Sequence, residues 1–375
     1  MDVYRDTLSV LNQSGPLIKK LTVAHEKLKE RFDFTDRIAL AIYDQKTDEL
    51  RTFIHSSGGA QPLLHYQAKL SDAHSLLDVI QSGNPRVIND LAVFSNGTQE
   101  HTQLIAAAGY QASYTLPMFI NSAFFGFIFF NSYRKNVFDR EVLHYLDLFG
   151  HLIALVAINE VGALRTLAAT ARAARDLARL RDTETGAHLD RMSHFSRIVA
   201  VELAQKYDYN DEYIEYLFLF APLHDIGKIG IPDSILLKGG PLTGDERDLM
   251  KTHVVKGREF VDSLLENFGS EVFSHLDVLR NIVEYHHEAI DGSGYPRGAC
   301  GDQIPIEARI IAVADVFDAL TSRRPYKEGW SNDTAFATLR QLSGSKLDPD
   351  CVEALIKQRA SVEEIQQRFQ EAFYA

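Results

Sequence analysis

The feature that most constrains the fold is a nearly uninterrupted helical pattern from Asp139 to Arg181, because it divides the chain into two halves of different texture. Before it, short runs rich in aromatic and β-branched residues alternate with turn signals, which predicts strands. After it, strand signals vanish and helical patterns separated by glycine-containing loops dominate. A chain of 375 residues is too long for one ordinary core, so we expect a domain on each side.

The first half opens with a predicted helix at Pro16–Phe32 and continues with a mixture of strands and helices. Two further helices are predicted, at Ala73–Ser82 and Glu100–Gly109. The predicted strands are Arg37–Tyr43, Glu49–His55, Ser113–Ile120 and Ala123–Phe130. Strands and helices mixed in this way favour an α/β sandwich built on an antiparallel sheet.

The long helix carries a small-residue seam in its second part. Leu164, Leu167, Ala171, Ala174 and Ala178 follow one another at alternating three- and four-residue steps, which is the spacing of a coiled-coil seam. Alanine makes such a seam weak. Two interpretations therefore stay open: a parallel homodimer through this helix, or packing of the same face on its own chain.

Composition excludes several classes of function and site. A net charge of −12 argues against a nucleic-acid polymer as partner, since such binding needs basic patches. Cys300 and Cys351 are the two cysteines, so a disulfide framework and thiolate metal sites of the CxxC type are excluded. The first residues carry no apolar signal segment, and the longest apolar run, Leu152–Ile158, is too short to span a bilayer. We expect a soluble cytoplasmic protein with no membrane segment.

Histidines and acids recur in the second half at spacings that suit metal ions. Taken singly, each has an ordinary structural interpretation, such as a helix-surface pair or a hydrogen-bonded histidine. Together they offer more ligands than one ion needs, which favours a site of two or three metals with a bridging carboxylate. Nitrogen and oxygen donors without sulfur suit iron, manganese or zinc. The residues are Glu184, His188, His224, Asp225, His253, His286, His287 and Asp315.

The motifs around these residues resemble the HD-GYP family. His224-Asp225 with Gly227-Lys228 matches the HD motif, and HHEAIDGSGYP from His286 to Pro296 matches the family signature. RDTETGAHLDR, at 181–191, and IPIEARIIAVADVFDALTSRRPYK, at 304–327, match its other long motifs. The resemblance covers residues 180–360. It implies an all-helical HD-type bundle and a bacterial phosphodiesterase that opens cyclic di-GMP to linear pGpG, in some members continuing to GMP.

The resemblance also implies a role for each metal-binding position. The eight residues named above become metal ligands, with Asp225 bridging two ions. A glutamate at the position of Glu184 accompanies a third ion in the family, so three divalent metals are favoured over two, with iron preferred and manganese as the alternative. The nucleophile would be a hydroxide held by the metals, attacking phosphorus.

Substrate contacts follow from the same resemblance. Lys228 is assigned to the phosphate, and Arg324 and Lys327 to the second phosphate or a guanine edge. Tyr295 is expected to contact the ligand, while Asp291 orders the loop that carries it. The stretch between His253 and His286 is longer than usual, and 267–279 is interpreted as an inserted loop near the pocket.

The first half resembles a GAF domain over residues 18–160 in its strand order and closing helix. The absence of cysteine before Cys300 excludes a thioether-linked bilin. Haem bound through His55, His65, His74 or His101 is an alternative to plain surface histidines. The predicted organisation is a GAF-like sensory domain at 1–160, a connecting helix at 161–180 and an HD-GYP domain at 181–375.

Several functions compete with cyclic di-GMP hydrolysis. One is a catalytically weak cyclic-dinucleotide sensor that acts through protein partners of the GGDEF type. Another is hydrolysis of cyclic GMP–AMP, and a third is oxygen chemistry at an HD-type iron site. A general nucleotide phosphohydrolase fits the GYP loop less well. Lys228 and the SRRPYK segment favour hydrolysis over oxygen chemistry.

Overall fold

A computed structural model describes residues 6–58, 63, 65–94, 107–179, 185–268, 275–322 and 329–370, with side chains excluded at 174–179. The chain divides into two compact units. The first consists mainly of Met1–Ala163, and the second consists mainly of the residues from Leu164 onward. The predicted domain boundaries at 160 and 180 stay predictions.

The first unit is built on a six-stranded antiparallel sheet of order β3-β2-β1-β6-β5-β4. Its strands are β1 (Arg37–Asp44), β2 (Glu49–Ser57), β3 (Gln67–Lys69), β4 (Arg86–Ile88), β5 (Ala112–Ile120) and β6 (Ala123–Ser132). The four longer strands confirm the predicted runs. The two three-residue strands were not predicted, because segments this short carry no readable alternation.

Both faces of this sheet are covered, which explains why its central strand is apolar almost throughout. On one face, Ile38, Leu40 and Ile42 of β1 belong to a core shared with helices α1 (Leu17–Arg31) and α3 (Arg140–Arg179). On the other face, Ala41 and Phe127 pack with residues of α2 (His74–Ser82). The three helices confirm the sequence predictions, apart from Glu100–Gly109, most of which lies outside the described residues. The predicted α/β sandwich is confirmed.

The second part of α3 corrects one interpretation. Leu164, Leu167 and Ala171 are buried within the chain, at 2% exposure or less. This face therefore packs on its own protein and is not available as a coiled-coil seam; the side chains of Ala174 and Ala178 lie outside the described residues. Within α3, Arg140–Ala173 is long and apolar enough to cross a membrane. A core helix passes the same test, so the expectation of no membrane segment stays a prediction.

The second unit is helical in all of its described regular structure apart from isolated bridges, which confirms the all-α prediction. Its helices are α4 (Gly186–Tyr207), α5 (Asp211–Phe220), α6 (Asp233–Leu236), α7 (Gly244–Lys251), α8 (His253–Phe268), α9 (Leu276–Tyr285), α10 (Ile306–Thr321), α11 (Asn332–Leu342), α12 (Pro349–Lys357) and α13 (Arg359–Arg368). Short 3-10 turns at Ala221–Leu223 and Ile226–Gly230 flank His224 and Asp225.

The predicted inserted loop at 267–279 is wrong at both ends, since α8 extends to Phe268. Leu276–Leu279 form the first turn of α9, and Leu276, Val278 and Leu279 are buried. Because all three of these side chains are buried, this turn belongs to the core. Residues 269–274 lie outside the described residues.

Candidate metal centre

The turn that carries Asp225 packs directly against the start of α8. A Cβ on Gly227 would overlap the backbone carbonyl of His253 and the backbone of Gly257, so only glycine fits there. This close approach places the Asp225 carboxylate beside the His253 ring. His286 and His287 follow the end of α9 and complete a group whose ligand atoms all lie within 4.8 Å of one another.

A second group consists of His188 on α4, His224 and Asp315 on α10, again with ligand atoms within 4.8 Å. The two groups are adjacent, since the His224 ring lies 5.8 Å from that of His188 and 5.2 Å from that of His286. Asp225 faces both. Its Oδ1 lies 3.0 Å from His253 Nε2, and its Oδ2 lies 3.4 Å from His224 Nε2.

The histidines are oriented by hydrogen bonds from their other ring nitrogen. Nδ1 of His224, His253 and His286 donates to the backbone carbonyls of Ala221, Met250 and Ile282, at 2.9, 2.8 and 2.9 Å. Nδ1 of His188 donates to Asp318 Oδ2 at 2.7 Å. Carbonyl and carboxylate oxygens only accept, so each Nδ1 carries the proton. In the neutral ring, Nε2 then presents a lone pair.

Three of these Nε2 atoms, those of His224, His253 and His286, lie 3.0–3.6 Å from the Asp225 carboxylate. Several buried polar atoms at this place have no hydrogen-bond partner among the described residues. They are Asp225 Oδ1 and the Nε2 atoms of His188, His253 and His286. Two acceptors at the 3.0 Å separation of His253 Nε2 and Asp225 Oδ1 repel each other unless a cation lies between or beside them. The donor set therefore fits divalent metal ions with nitrogen and oxygen ligands.

Protonation states at neutral pH favour the same conclusion. Burial, followed by the neighbouring His286, lowers the pKa of His287 to about 2. Burial likewise lowers the pKa of His286. Burial would raise the pKa of Asp225, but Lys228 and His224 outweigh it and hold that pKa well below its ordinary value. Neutral imidazoles beside an ionised carboxylate are the forms that bind a metal.

Residues 168–351 match the family model described as HD domain. Residues 168–351 of this chain form an HD domain. Together with the relatives described next, this match confirms the HD-GYP prediction made from the motifs.

Relatives match 41–58% of this chain at 35–46% identity. A cyclic di-GMP phosphodiesterase response regulator of Xanthomonas campestris is 46% identical over 220 residues, covering 58% of this chain and 54% of the relative. A cyclic di-GMP phosphodiesterase of Thermotoga maritima is 41% identical, covering 51% and 49%. A 3'3'-cGAMP-specific phosphodiesterase of Vibrio cholerae is 38% identical, covering 47% and 32%. The chain spans about half the length, or less, of the curated relatives it matches.

Solved structures match the first unit more distantly. A phycocyanobilin-bound GAF domain of a cyanobacterial phytochrome covers 42% of this chain and 96% of its own, with 16% identity and a TM-score of 0.34. The GAF domain of an Acinetobacter phosphoenolpyruvate-protein phosphotransferase covers 42% and 90%, with 12% identity and a TM-score of 0.33. Scores this low carry no argument about function.

Lys228 lies at the edge of the HD metal centre. Its Nζ is 2.8 Å from Asp225 Oδ2, and its side chain keeps 22% of its exposure. The lysine therefore pairs with the central carboxylate while part of its side chain remains exposed. Its predicted role at a phosphate stays a prediction.

The GYP loop of the HD domain brings Tyr295 to the mouth of the same centre. A Cβ on Gly294 would overlap the backbone of Ala289, so the loop folds back tightly at this point. Tyr295 N donates to His287 O at 3.2 Å, and the tyrosine ring lies 4.9 Å from the His287 ring. A ligand bound at the histidines would meet this ring.

Asp291 lies at the base of the GYP loop, where it accepts hydrogen bonds from the Ser293 backbone and from Lys346 Nζ, both at 2.9 Å. These contacts hold the loop, which agrees with its predicted ordering role. Three predicted site residues, Glu184, Arg324 and Lys327, lie outside the described residues, and their roles stay predictions.

Sequence reasoning missed Asp318, the carboxylate behind His188. Burial would raise its pKa, but hydrogen bonds from His188 and Arg191 outweigh burial and lower that pKa to about 2. A signal was present in the sequence, since Asp315 and Asp318 lie three residues apart in DVFDAL and share one helix face. Arg191 lies in the same motif as His188, three residues later.

Proposed function

We propose that this protein is a metal-dependent phosphodiesterase that hydrolyses cyclic di-GMP to linear pGpG, and further to GMP. The observation that carries the proposal is the convergence of imidazole lone pairs on Asp225 from two adjacent ligand groups. Adjacent divalent ions clamp the attacking and leaving oxygens of a phosphate ester, which a single ion does less well. The names of the relatives support the substrate class.

Asp225 has the central position in this proposal. One oxygen faces His253 and His286, at 3.0 and 3.6 Å, and the other faces His224 at 3.4 Å. With metal ions bound, a carboxylate placed in this way would contribute a ligand to each of the two groups. When bound, divalent ions supply a nucleophilic water near neutral pH and neutralise charge that builds on the phosphate.

Lys228 and Tyr295 would act on the substrate itself. The Lys228 ammonium, held 2.8 Å from Asp225 Oδ2, would bind a non-bridging phosphate oxygen and donate a proton to the leaving oxygen. The Tyr295 ring would stack on a guanine base, since aromatic faces bind bases without requiring a particular edge. Arg324 and Lys327 would hold the second phosphate.

The metal ions we propose are iron, with manganese as the alternative. Buried imidazole and carboxylate donors without sulfur suit both. Two ions correspond to the two described groups, and a third would need Glu184. We further propose that the first unit regulates turnover.

Metal content and turnover measured on the same anaerobically purified sample test the function. We expect two to three iron or manganese ions per chain, and linear pGpG or GMP from cyclic di-GMP. Cyclic GMP–AMP serves as the comparison substrate, and faster turnover of it would change the assigned substrate. A filled metal site that binds cyclic di-GMP without releasing product would contradict hydrolysis and support a sensor that acts through a GGDEF-type partner.

We also propose a homodimer through the exposed side of α3. The seam predicted from sequence is buried within the chain, so the dimer contact would lie on the other side of this helix. Leu148 and Leu155 are 56% and 67% exposed and lie seven residues apart, which is one coiled-coil repeat. Light scattering should give a dimer for the wild type and a monomer for Leu148→Glu/Leu155→Glu. Leu237→Glu, which changes a leucine that is 51% exposed elsewhere, is the matched control. A monomeric wild type would contradict the dimer.

A further inference from the structure

Asp318 is a buried carboxylate, 1% exposed, that lies one turn beyond Asp315 on α10. Four donors surround it. His188 Nδ1 lies 2.7 Å from Oδ2, and Arg191 contributes Nε to Oδ1 at 2.5 Å and Nη2 to Oδ2 at 3.0 Å. Ser322 Oγ donates to Oδ2 at 2.9 Å. A carboxylate bound on this many sides has one orientation available to it.

The His188 contact differs in kind from those of the other oriented histidines. His224, His253 and His286 each donate Nδ1–H to a backbone carbonyl within four residues of their own position. His188 donates to a side chain 130 residues away. Its ring orientation therefore depends on how α4 and α10 pack, and on the groups that fix Asp318.

Arg191 provides that fixation and is itself held. Its Nη1 donates to the Phe369 carbonyl at 2.7 Å, and its Nη2 also meets Ser322 Oγ at 2.7 Å. The guanidinium is buried and balances the Asp318 charge, so the pair costs less to bury than the carboxylate alone. A rigid carboxylate behind an imidazole fixes its tautomer and raises its basicity as a ligand.

We propose that Asp318, locked by Arg191, is a positioning residue that keeps His188 with its proton on Nδ1 and its Nε2 lone pair directed at the metal position formed with His224 and Asp315. This inference rests on the metal-binding part of the proposed function. A substitution at Asp318 should therefore change metal affinity at the His188 position without removing a ligand. It should not affect the other metal position, which is formed by Asp225, His253, His286 and His287.

Asp318→Asn in the full-length protein tests the inference. The amide keeps the size of the side chain and an acceptor for Arg191, but it removes the charge that favours a proton on His188 Nδ1. Titration of the metal-free protein with Mn²⁺, followed by calorimetry, should show one position weakened about 10- to 100-fold and the other unchanged. Unchanged affinity at both positions would overturn the inference.

A double-mutant cycle separates positioning from general destabilisation. In a His188→Ala background, Asp318→Asn should change Mn²⁺ affinity less than about twofold, because the residue through which it acts is gone. An equal loss in both backgrounds would overturn the inference. Asp348→Asn is the matched control, since Asp348 is also buried and paired with an arginine, Arg309, at 2.9 Å. It should leave both Mn²⁺ affinities unchanged, and a loss equal to that of Asp318→Asn would count against positioning.

If Asp318→Asn does not fold, Arg191→Lys carries the same test. Lysine keeps the positive charge but loses the two-pronged contact with Asp318. The His188 position should then weaken by a smaller factor, about three- to tenfold, and unchanged affinity would overturn the inference. A wild type that binds no Mn²⁺ would remove the metal centre and the proposed function with it, whereas a wild type that binds normally confines any failure to Asp318.

Discussion

Buried histidines in the two halves of the molecule use their ring nitrogens differently. In the first unit, His25 of α1 meets Ser56 Oγ with Nδ1 and the Thr35 carbonyl with Nε2, both at 2.8 Å. In the HD domain, Nδ1 of His253 and His286 is hydrogen bonded, while Nε2 is buried without a partner among the described residues.

The difference separates a structural histidine from a proposed metal ligand. A buried polar atom without a hydrogen-bond partner costs free energy. Two such acceptor atoms at one place therefore indicate a binding site for a cation. Burial alone does not discriminate, because His25, His253 and His286 are 4%, 2% and 2% exposed. The partners of both ring nitrogens do discriminate.

The largest expected effect breaks the metal side of this comparison. His224→Ala/Asp225→Ala removes one residue from each group, and the residue removed at position 225 is the carboxylate that faces both. We expect loss of bound metal and a fall in kcat of about 10³-fold or more, because the phosphate loses its charge stabilisation. Metal analysis and product formation measure this. Circular dichroism should show that the protein remains folded, and full activity without metal would remove the mechanism.

His25→Gln is the matched variant on the structural side. Glutamine can keep the hydrogen bond to only one of the two partners, Ser56 or Thr35. We therefore expect the free energy of unfolding to fall by about 1–3 kcal/mol. Metal content should stay at the wild-type value. A variant of His25 that lost metal would show that counting ring-nitrogen partners does not separate the two roles.

A smaller effect on kcat than that of the metal-site double mutant is expected at Lys228, which belongs to one of two lysine–carboxylate pairs, one in each half. Lys228 lies 2.8 Å from Asp225, and Lys20 lies 3.2 Å from Glu160. Lys228→Met should lower kcat about 10²-fold with metal retained, because a transition-state contact is lost. Lys20→Met should instead lower stability by about 3–5 kcal/mol, because Glu160 stays buried and unpaired. Denaturant melts and steady-state kinetics on both variants measure this, and an unchanged kcat for Lys228→Met would contradict its catalytic role.

Sequence predicts the parts of this molecule that depend on local pattern. Helix α1, the four long strands and the HD motifs each follow from periodicity or fixed spacing within one segment. The short strand β4 does not, because Arg86–Ile88 is defined by pairing with β5 and not by its own residues. The residues that the structure brings together at the candidate centre were predicted from motifs, whereas Asp318 was missed because its partner lies 130 residues away.

The predicted seam on α3 also shows that a sequence pattern does not identify a packing partner. The spacing of Leu164, Leu167 and Ala171 identifies an apolar face but cannot say what covers it. In the structure this face is buried within the chain, and Leu148 and Leu155 are the exposed large residues instead. Periodicity predicts that a helix face is buried. Tertiary packing determines which part of the protein covers that face.

The smallest expected effect sharpens the comparison through pH. Burial lowers the pKa of His25, so the folded state keeps this ring neutral below pH 6.5, where the unfolded chain protonates it. Between pH 6.5 and the lowered pKa, the unfolded state binds more protons, and stability falls as pH falls, by at most about 1.4 kcal/mol per pH unit. Above pH 6.5 this histidine contributes no pH dependence.

Denaturant melts of metal-free wild type and His25→Gln, from pH 7.5 to pH 5, measure the difference. His286 and His287 titrate alike in both proteins, so the difference between the curves isolates His25. The two curves should converge as pH falls, and parallel curves would mean that the His25 ring is not held neutral in the folded state.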